Sequence, residues 1–472
     1  MKRRDIKFAS SRREFITSTT ILAAGLALGP ELLAAGPARL KPGSVNEKIR
    51  MGFIGIGNRG SQLLNAFMAN DDVAVTALCD IYEPYLNRDL PKVDPKFREM
   101  GMVPAMGEKL GPEVKRYKDF RRLLEDKNVD AVVIATPDHW HSTMTILALR
   151  AGKDVYVEKP LTIALKEGRD MVNAWKSSKQ VVTVGLNRRG SLVYRKMAEE
   201  IRAGKLGKIT VAGAARISNM SPDGIGTFRP GEPPKDFDWD AWLGPRAYRP
   251  FQYNIAPYKF RWWSDYSSQM GNWGVHYMDA IRWMLGEMAP VSITAHGGKY
   301  VLTHDGDIPD TMEVIFEFAS GRIIRFSIHE ACGEPGAATG EIELNGTKGS
   351  LAISENGYEI IPSVPGQFQH WDQPIEPEKF SVRPGPDKTG VNVYEDPASN
   401  LIRNFLDCVK SREATWCPLE EGHRSTSFAH LANIALKRKK RLEWDPGNER
   451  FTNDEAANDE LSYKYRKEWD LL

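Results

Sequence analysis

Short apolar runs alternate with amphipathic stretches throughout the first part of the chain. Each run ends at glycine or polar residues, which is typical of buried strands, and the stretches between them have the period of a helix. The pattern predicts strands at 48–56, 73–78, 130–135, 154–157 and 181–185, and helices at 60–69, 117–126, 139–151 and 164–178. Strands that alternate with helices form a parallel sheet with helices on both faces. We therefore assign residues 47–186 to an N-terminal α/β domain.

The later part of the chain has a different pattern, in which apolar and polar residues alternate singly. It predicts strands at 209–217, 291–301, 311–319, 322–329 and 340–346, helices at 191–203, 274–286, 397–410 and 420–437, and a loop at 361–395. Single alternation indicates an antiparallel sheet with one face covered and the other solvated or in an interface. Residues 187–442 are therefore expected to form a C-terminal α/β domain on an open, largely antiparallel sheet.

Two segments of the later part lack a clear period. Residues 221–263 are rich in proline and aromatic residues, and a loop of this length usually serves function or wraps a partner. The polar tail, 443–472, carries Tyr463, Tyr465 and Trp469. These amphipathic rings indicate that the tail docks on a surface.

The first residues have the layout of an export signal. The motif Ser11-Arg12-Arg13-Glu14-Phe15-Ile16 precedes an apolar run that is too short to span a bilayer with ease. This order matches a secretory leader, and the arginine pair matches the twin-arginine address. We expect residues 1–38 to be a cleaved signal peptide, and the mature protein to be periplasmic without a membrane span. The alternative is a cytosolic protein with an amphipathic N-terminus.

Composition narrows the classes of partner. The chain has 472 residues, of which 41% are hydrophobic and 27% charged, and its net charge is +2. This balance gives no electrostatic reason to expect nucleic-acid binding. The four cysteines lack metal-ligand spacing, and His139 and His141 have no third ligand nearby in the sequence, so no metal site is predicted.

A glycine-rich turn between the first strand and the first helix predicts a dinucleotide site. In such turns the first glycine allows the tight bend, the second lets a pyrophosphate approach, and the third lets the helix pack closely. Asp80 ends the second strand, where a carboxylate can accept hydrogen bonds from the adenosine ribose. Asp80 favours NAD over NADP, although Arg59 could hold a 2′-phosphate. The turn consists of Gly55, Ile56, Gly57, Asn58, Arg59 and Gly60.

Three later motifs resemble those of the Gfo/Idh/MocA oxidoreductases, the glucose–fructose oxidoreductase and inositol dehydrogenase family. The resemblance covers nearly all of the mature chain. It implies an N-terminal Rossmann domain, a C-terminal α/β domain whose open sheet often makes the contact of a dimer or tetramer, and sugar, cyclitol or glycoside substrates. The motifs are Thr136-Pro137-Asp138-His139-Trp140-His141, Glu158-Lys159-Pro160 and Gly271-Asn272-Trp273-Gly274-Val275-His276-Tyr277-Met278-Asp279.

The resemblance also implies roles for single residues. Lys159 would lie beside the nicotinamide and the substrate hydroxyl, and His276 matches the acid/base histidine of the family. Asn272 stands where the family most often has aspartate. Either Lys159 and His276 relay the proton alone, or Asp265 or Asp279 supplies the carboxylate, or catalysis is lost. The further cofactor-binding candidates are Thr136, Pro137, His139, His141, Glu158 and Asn187. His139 and His141 follow a strand at its carboxyl end, where they could line the substrate mouth or only cap the next helix.

The substrate side carries weaker signals. The expected contacts are Arg188, Trp262, Trp263 and Tyr277, although the arginine could pair with a surface carboxylate and the rings could be core. An enzyme outside the cytoplasm has no free nicotinamide pool, so its NAD is expected to be tightly bound. The predicted function is an exported NAD-dependent oxidoreductase acting on a secondary hydroxyl of a sugar, glycoside or cyclitol. The alternatives are an NAD-assisted glycosidase and a non-catalytic sugar-binding relative.

Overall fold

The computed structural model describes residues 48–333, 341–381 and 396–472, which belong to one unit spanning Pro42–Leu472. The predicted export signal, 1–38, lies outside the described residues.

The first domain is built on a parallel sheet of six described strands, in the order β3-β2-β1-β4-β5-β6. Strands β4 and β5 are buried along their whole length because helices cover both faces. The order reverses between β1 and β4, and ligands of such folds bind at this point. This confirms the predicted Rossmann domain. The strands are Ile49–Ile54, Val73–Cys79, Lys115–Tyr117, Ala131–Ile134, Asp154–Val157 and Val182–Val184; helices α1 to α6 are Asn58–Met68, Glu83–Leu86, Pro95–Glu99, Phe120–Glu125, His141–Arg150 and Leu165–Lys176.

The second domain is built on a mixed sheet of ten described strands, in the order β14-β13-β12-β11-β7-β10-β9-β8-β15-β16. The β7–β10 pair is parallel and the other pairs are antiparallel. Strands β7 to β16 are Ile209–Ile217, Ser292–Gly298, Thr311–Glu317, Ile323–His329, Ile342–Gly346, Gly349–Ser354, Gly357–Pro362, Glu378–Ser381, Leu442–Asp445 and Arg450–Phe451. Helices α7 to α12 are Leu192–Arg202, Trp239–Leu243, Val275–Leu285, Pro397–Ser411, Leu419–Arg438 and Glu455–Asn458.

One face of this second sheet packs against helices. Along β9, Met312, Val314 and Phe316 are buried while Glu313 and Ile315 are exposed, which is the predicted single alternation. The buried face meets α9 and α11, and Phe316 lies 4.9 Å from the Phe428 ring. The largely antiparallel sheet of the prediction is confirmed.

Three features of the fold differ from the sequence predictions. Strands β12 and β13 were not predicted, and β14 lies within the segment predicted as loop. Helix α10 packs into the core of the first domain, where Phe405 contacts Phe67 and Tyr156, although it falls within 187–442. An amphipathic pattern shows that a helix has a buried face but not which core that face joins.

The aromatic segment 221–263 folds back on the first domain. Phe237 lies 5.4 Å from Tyr82, and Trp239 stacks on Trp242 at 4.8 Å. These rings form a third apolar core with residues that follow β2. The segment therefore wraps part of its own chain, beside the carboxyl end of the parallel sheet.

The C-terminal tail docks as predicted. The hydroxyls of Tyr463 and Tyr465 both donate to one carboxylate oxygen of Glu167, at 2.7 and 2.6 Å. Trp469 packs edge-on against Trp140, with 5.4 Å between the ring centroids. Trp469 Nε1 also donates to Asp240 Oδ2 at 2.9 Å, so the tail bridges the first domain and the aromatic segment.

Candidate active site

The glycine-rich turn forms a cradle at the N-terminus of α1. Gly55 has a φ of +79°, a conformation that L side chains rarely adopt, and a Cβ on Gly60 would lie 1.9 Å from Gly55 O. A Cβ on Gly57 would meet its first neighbour, Tyr85, only at 3.9 Å. Gly57 precedes the helix without a side-chain cap, so the first backbone N–H groups of α1 are available to an anion.

Asp80 lies beside this cradle, in the wall of the same cleft. Its carboxylate accepts hydrogen bonds from the backbone N–H groups of Ile56 and Tyr82, each at 2.9 Å. Burial raises the pKa of Asp80, while these bonds oppose the rise. Each carboxylate oxygen has a second lone pair, so Asp80 can still accept from a ribose hydroxyl.

The cleft continues from Asp80 to Lys159. An outer cavity of about 280 Å³ lies at Asp80, and an inner cavity of about 420 Å³ lies at Lys159. The two cavities share Asn58, Thr136 and Arg261 in their walls. The aromatic segment and the tail cover the outer cavity through Phe237, Trp242, Tyr258, Phe260 and Trp469. The glycine cradle, the open helix terminus and the elongated, partly aromatic cleft fit a nicotinamide dinucleotide.

Two buried histidines hold the loop after β4 rather than facing the cleft. His141 joins two motifs, because its ring nitrogens lie 2.9 Å from Thr136 O and 2.8 Å from Pro160 O. His139 contacts Trp242 O at 2.8 Å, and burial lowers its pKa to about 3. Thr136 and Pro137 line the cleft, so the histidines act by positioning them.

Lys159 brings a cationic group into the inner cavity. Its ammonium donates to Asn272 O at 2.8 Å and to Asn272 Oδ1 at 3.3 Å. Loss of surrounding water lowers the pKa of Lys159 to about 8, although the nearby Glu158 opposes this. Glu158 itself accepts from Arg59 Nε at 2.7 Å.

Asn272 reaches Lys159 because a wide helical turn precedes α9. Met270–Gly274 form one π-helical turn, a feature that is frequent at functional sites. The turn directs both the carbonyl and the side-chain oxygen of Asn272 toward Nζ. Both oxygens are neutral, so they orient the lysine without the charge that would hold it protonated.

His276 lies in the first turn of α9, close to several cations. Burial and the charges of Lys159, Arg188 and Arg59 lower its pKa well below the ordinary value. Its Nδ1 is buried and has no hydrogen-bond partner within the part of the chain that the structure describes. Burial and these charges favour the neutral imidazole.

The two aspartates considered as replacement carboxylates are engaged elsewhere. Asp265 is half-exposed and forms an ion pair with Arg246 at 2.7 Å. Asp279 is buried against Arg189 at 2.8 Å and accepts from Ser425. Their charges are already neutralised by these partners.

Several predicted contact residues also have other partners. Arg188 pairs with Glu341, and its guanidinium lies 4.8 Å from the centre of the Tyr277 ring. Trp263 is buried, and its Nε1 donates to Asn254 O. Asn187 follows β6, and its buried Oδ1 has no hydrogen-bond partner within 48–333, 341–381 and 396–472. These contacts place Arg188, Tyr277 and Trp263 in the packing around the site.

The second domain supplies a wall that sequence analysis largely missed. Trp262, which was predicted, lines the inner cavity together with Arg216, Trp273 and Glu330. Arg216 lies near the end of β7, and Glu330 directly follows β10. The available signal was a polar residue at the end of an apolar strand.

Neither a metal centre nor a membrane helix is found among the described residues. No three histidine, cysteine or acidic side chains in them are placed to hold a metal ion. No helix in them has both the length and the apolar character that crossing a bilayer requires.

Three sequence models of one family match consecutive parts of the chain. "Oxidoreductase family, NAD-binding Rossmann fold" matches residues 49–186, and "GFO/IDH/MocA C-terminal domain" matches 242–352. "Oxidoreductase family, C-terminal alpha/beta domain" matches 383–471. These matches follow the two domains of the structure in order.

Individual relatives share part of their length with this chain. It is 32% identical to the myo-inositol 2-dehydrogenase of Thermotoga maritima over 37% of this chain and 46% of that protein. It is 31% identical to a glycosyl hydrolase family 109 protein of Stenotrophomonas maltophilia over 51% of this chain and 49% of that protein. The chain thus spans about half the length of the curated relatives it matches.

Solved structures agree in fold. The levoglucosan dehydrogenase complex with NADH and L-sorbose superposes with a TM-score of 0.60 at 16% identity, covering 84% of this chain and 99% of that one. The aldose–aldose oxidoreductase of Caulobacter crescentus gives 0.58 at 15% identity, covering 84% and 100%.

Proposed function

Because the chain belongs to the Gfo/Idh/MocA oxidoreductase family, we propose that it moves a hydride between a retained NAD and a secondary hydroxyl of a sugar, glycoside or cyclitol. The observation that carries the proposal is the cleft that joins the glycine cradle to the Lys159 ammonium. When bound, NAD would accept or return the hydride. The protein positions the reacting groups and manages the proton.

The polar groups of the outer cavity favour NAD over NADP. Asp80 would repel a 2′-phosphate, and Arg59 is already paired with Glu158. Two other cations of this cavity are paired as well, Lys118 with Glu83 and Arg121 with Asp119. A 2′-phosphate would compete with these carboxylates for their cations.

Lys159 is the group best suited to take the proton of the reacting hydroxyl. With a pKa of about 8, it holds a useful fraction of neutral amine near neutral pH. Asn272 fixes its position. His276 is surrounded by positive charge, so accepting a further proton is unfavourable, and we assign it a neutral hydrogen-bonding role.

We expect Asn272→Asp to shift the rising limb of the pH–rate profile to higher pH. A carboxylate at the position of Oδ1, 3.3 Å from Nζ, would stabilise the protonated lysine and raise its pKa by about one to three pH units. Since the neutral amine is the base, the variant needs more alkaline solution for the same rate. The measurement is kcat/KM against pH. Asn173→Asp on α6 is the control, and a profile with an unchanged midpoint would refute the assignment.

The reaction itself is tested with purified protein and a panel of glycosides and cyclitols. A product lighter by two hydrogens, formed with reduction of the bound cofactor, is the expected result. Protein that retains nucleotide but changes none of the compounds would favour a non-catalytic sugar-binding role.

A second candidate is a glycosidase that uses NAD transiently, through oxidation, elimination, hydration and reduction. The relatives named glycosyl hydrolase family 109 proteins favour it, as does an acidic group that the second domain adds to the inner cavity, Glu330. Release of the aglycone from an aryl glycoside without net NADH would distinguish it from a dehydrogenase.

We also propose export by the twin-arginine route, on the motif Arg12-Arg13 and the apolar run after it. Replacing both arginines with lysine is expected to leave the protein in the cytoplasmic fraction, measured by cell fractionation. The same change at Arg3-Arg4 is the matched control. An unchanged distribution of the Arg12-Arg13 variant would contradict export by this route.

A further inference from the structure

Side chains from the second domain line the inner cavity and have no role in the hydride transfer described above. Arg216 comes from β7 and Glu330 directly follows β10. Trp262 and Trp273 come from the chain before α9. They share the cavity with Lys159, so a substrate that reaches the lysine also meets this wall.

The Glu330 carboxyl is fixed in place and withdrawn from water. Trp262 Nε1 donates to Glu330 Oε2 at 2.9 Å, and the backbone N–H of Glu330 donates to Asp310 O. Glu330 is 2% exposed. Burial raises the pKa of Glu330 to about 7, against the opposing effects of Trp262 and Arg216. Such a carboxyl can accept and return a proton near neutral pH.

Arg216 is placed to hold a negatively charged oxygen. Its guanidinium carbon lies 4.0 Å from the centroid of the Trp273 ring, and its buried Nε has no hydrogen-bond partner in the described part of the chain. A buried donor without a partner is costly, which points to an acceptor on a ligand. A fixed cation stabilises charge that develops on a substrate oxygen.

We propose that Glu330 and Arg216 form an enolising pair, which removes the proton from the carbon next to a sugar ketone. The inference rests on the proposed function, because that oxidation produces the ketone. The C–H bond breaks and its proton passes to the Glu330 carboxylate. The C–H electron pair forms a C=C bond, and the carbonyl π pair moves to the oxygen held by Arg216.

The resulting enolate has two outcomes. Reprotonation from Glu330 returns the ketone, with exchange of the carbon-bound hydrogen. In the second outcome, the carbon beside the deprotonated carbon carries a glycosidic oxygen. The carbonyl re-forms, and the enolate C=C pair becomes a new double bond to that carbon. Its C–O bond breaks with both electrons on the leaving oxygen, which takes a proton from water. This second outcome is the elimination that a glycosidase route requires.

The test uses the purified holoenzyme and a keto glycoside in D2O, where no hydride transfer is needed. We expect the wild type to place deuterium on the carbon next to the carbonyl faster than buffer does, and Glu330→Gln to slow this exchange by ~10²–10⁴-fold. Glu330→Asp retains a carboxylate and should recover part of the rate. Glu313→Gln, on the exposed face of β9 beside His329, is the matched control and should exchange like the wild type.

The same preparations are mixed with an unoxidised glycoside, and reduction of the bound nicotinamide is recorded. Glu330→Gln should release as much nucleotide on denaturation as the wild type, because Glu330 lies outside the outer cavity, and this shows that the variant is folded. Exchange at the wild-type rate in Glu330→Gln, or no enzyme-dependent exchange in the wild type, would overturn the inference. Absence of nicotinamide reduction in the wild type would instead overturn the proposed function.

Discussion

Replacing Lys159 with methionine is expected to slow hydride transfer by ~10²–10⁴-fold, the usual contribution of a positioned proton-transfer group. Methionine keeps the unbranched side chain but has no basic nitrogen, so the hydroxyl proton loses its acceptor beside Asn272. The bound nucleotide should remain, because the cradle at Gly57 and the carboxylate of Asp80 are unchanged. Single-turnover absorbance measures the transfer, and denaturation followed by chromatography measures the nucleotide.

The control for this variant is Lys166→Met. Lys166 lies on α6, is largely exposed and pairs with Asp170, so its loss should leave transfer unchanged. Wild-type transfer in Lys159→Met would remove Lys159 from the mechanism. Loss of nucleotide from that variant would indicate a binding role instead.

Gly57→Val is expected to abolish cofactor retention while leaving the nucleotide-free fold intact. Gly57 has a φ of −68°, which any residue can adopt, and its Cβ position has open space in the free chain. The valine methyls would occupy the space through which a pyrophosphate approaches the N-terminus of α1. Nucleotide released per chain is the measurement, and we expect it to fall to near zero.

Gly60→Val is the matched comparison and should fail for a different reason. Its Cβ would lie 1.9 Å from Gly55 O, so the backbone of the turn must move. Overpacking of this kind lowers the free energy of unfolding by ~1–3 kcal/mol or more, even without nucleotide. Full nucleotide content in Gly57→Val, or equal destabilisation by both substitutions without nucleotide, would contradict the cradle described here.

The parallel domain could be predicted closely because its signals are local. Buried strands such as Asp154–Val157 are short apolar runs that helices cover on both sides, and glycine or polar residues mark their ends. The edge of the second sheet could not be predicted. Gly349–Ser354 and Gly357–Pro362 are short strands, and their sequence pattern resembles that of a turn-rich loop. They pair with their neighbours in the sequence, β12 with β11 and β13 with β12, so the missed signal was the short turns between them.

The candidate site also has residues that could be predicted and residues that could not. Gly57, Asp80 and Lys159 could be predicted because each lies in a short motif. The place of Glu330 and Arg216 in the site could not be predicted, because the sequence does not show which strand ends lie next to each other.

The sequence also could not show which acidic and basic side chains pair with each other. For Arg188 the sequence left open a substrate contact or a surface carboxylate, and in the structure it pairs with Glu341. Asp279 was considered as a catalytic carboxylate, but it pairs with Arg189. Such pairings join residues that are distant in the chain, and they appear only in the folded structure.

The most direct test of the central claim is the absorbance of the purified protein on mixing with a glycoside or cyclitol, with no nucleotide added. If Lys159 takes the proton of the reacting hydroxyl, the near-ultraviolet band of bound NADH appears in a single turnover and Lys159→Met suppresses it. Protein that releases NAD on denaturation, yet shows no band with any compound in the panel, would exclude hydride transfer to the retained NAD.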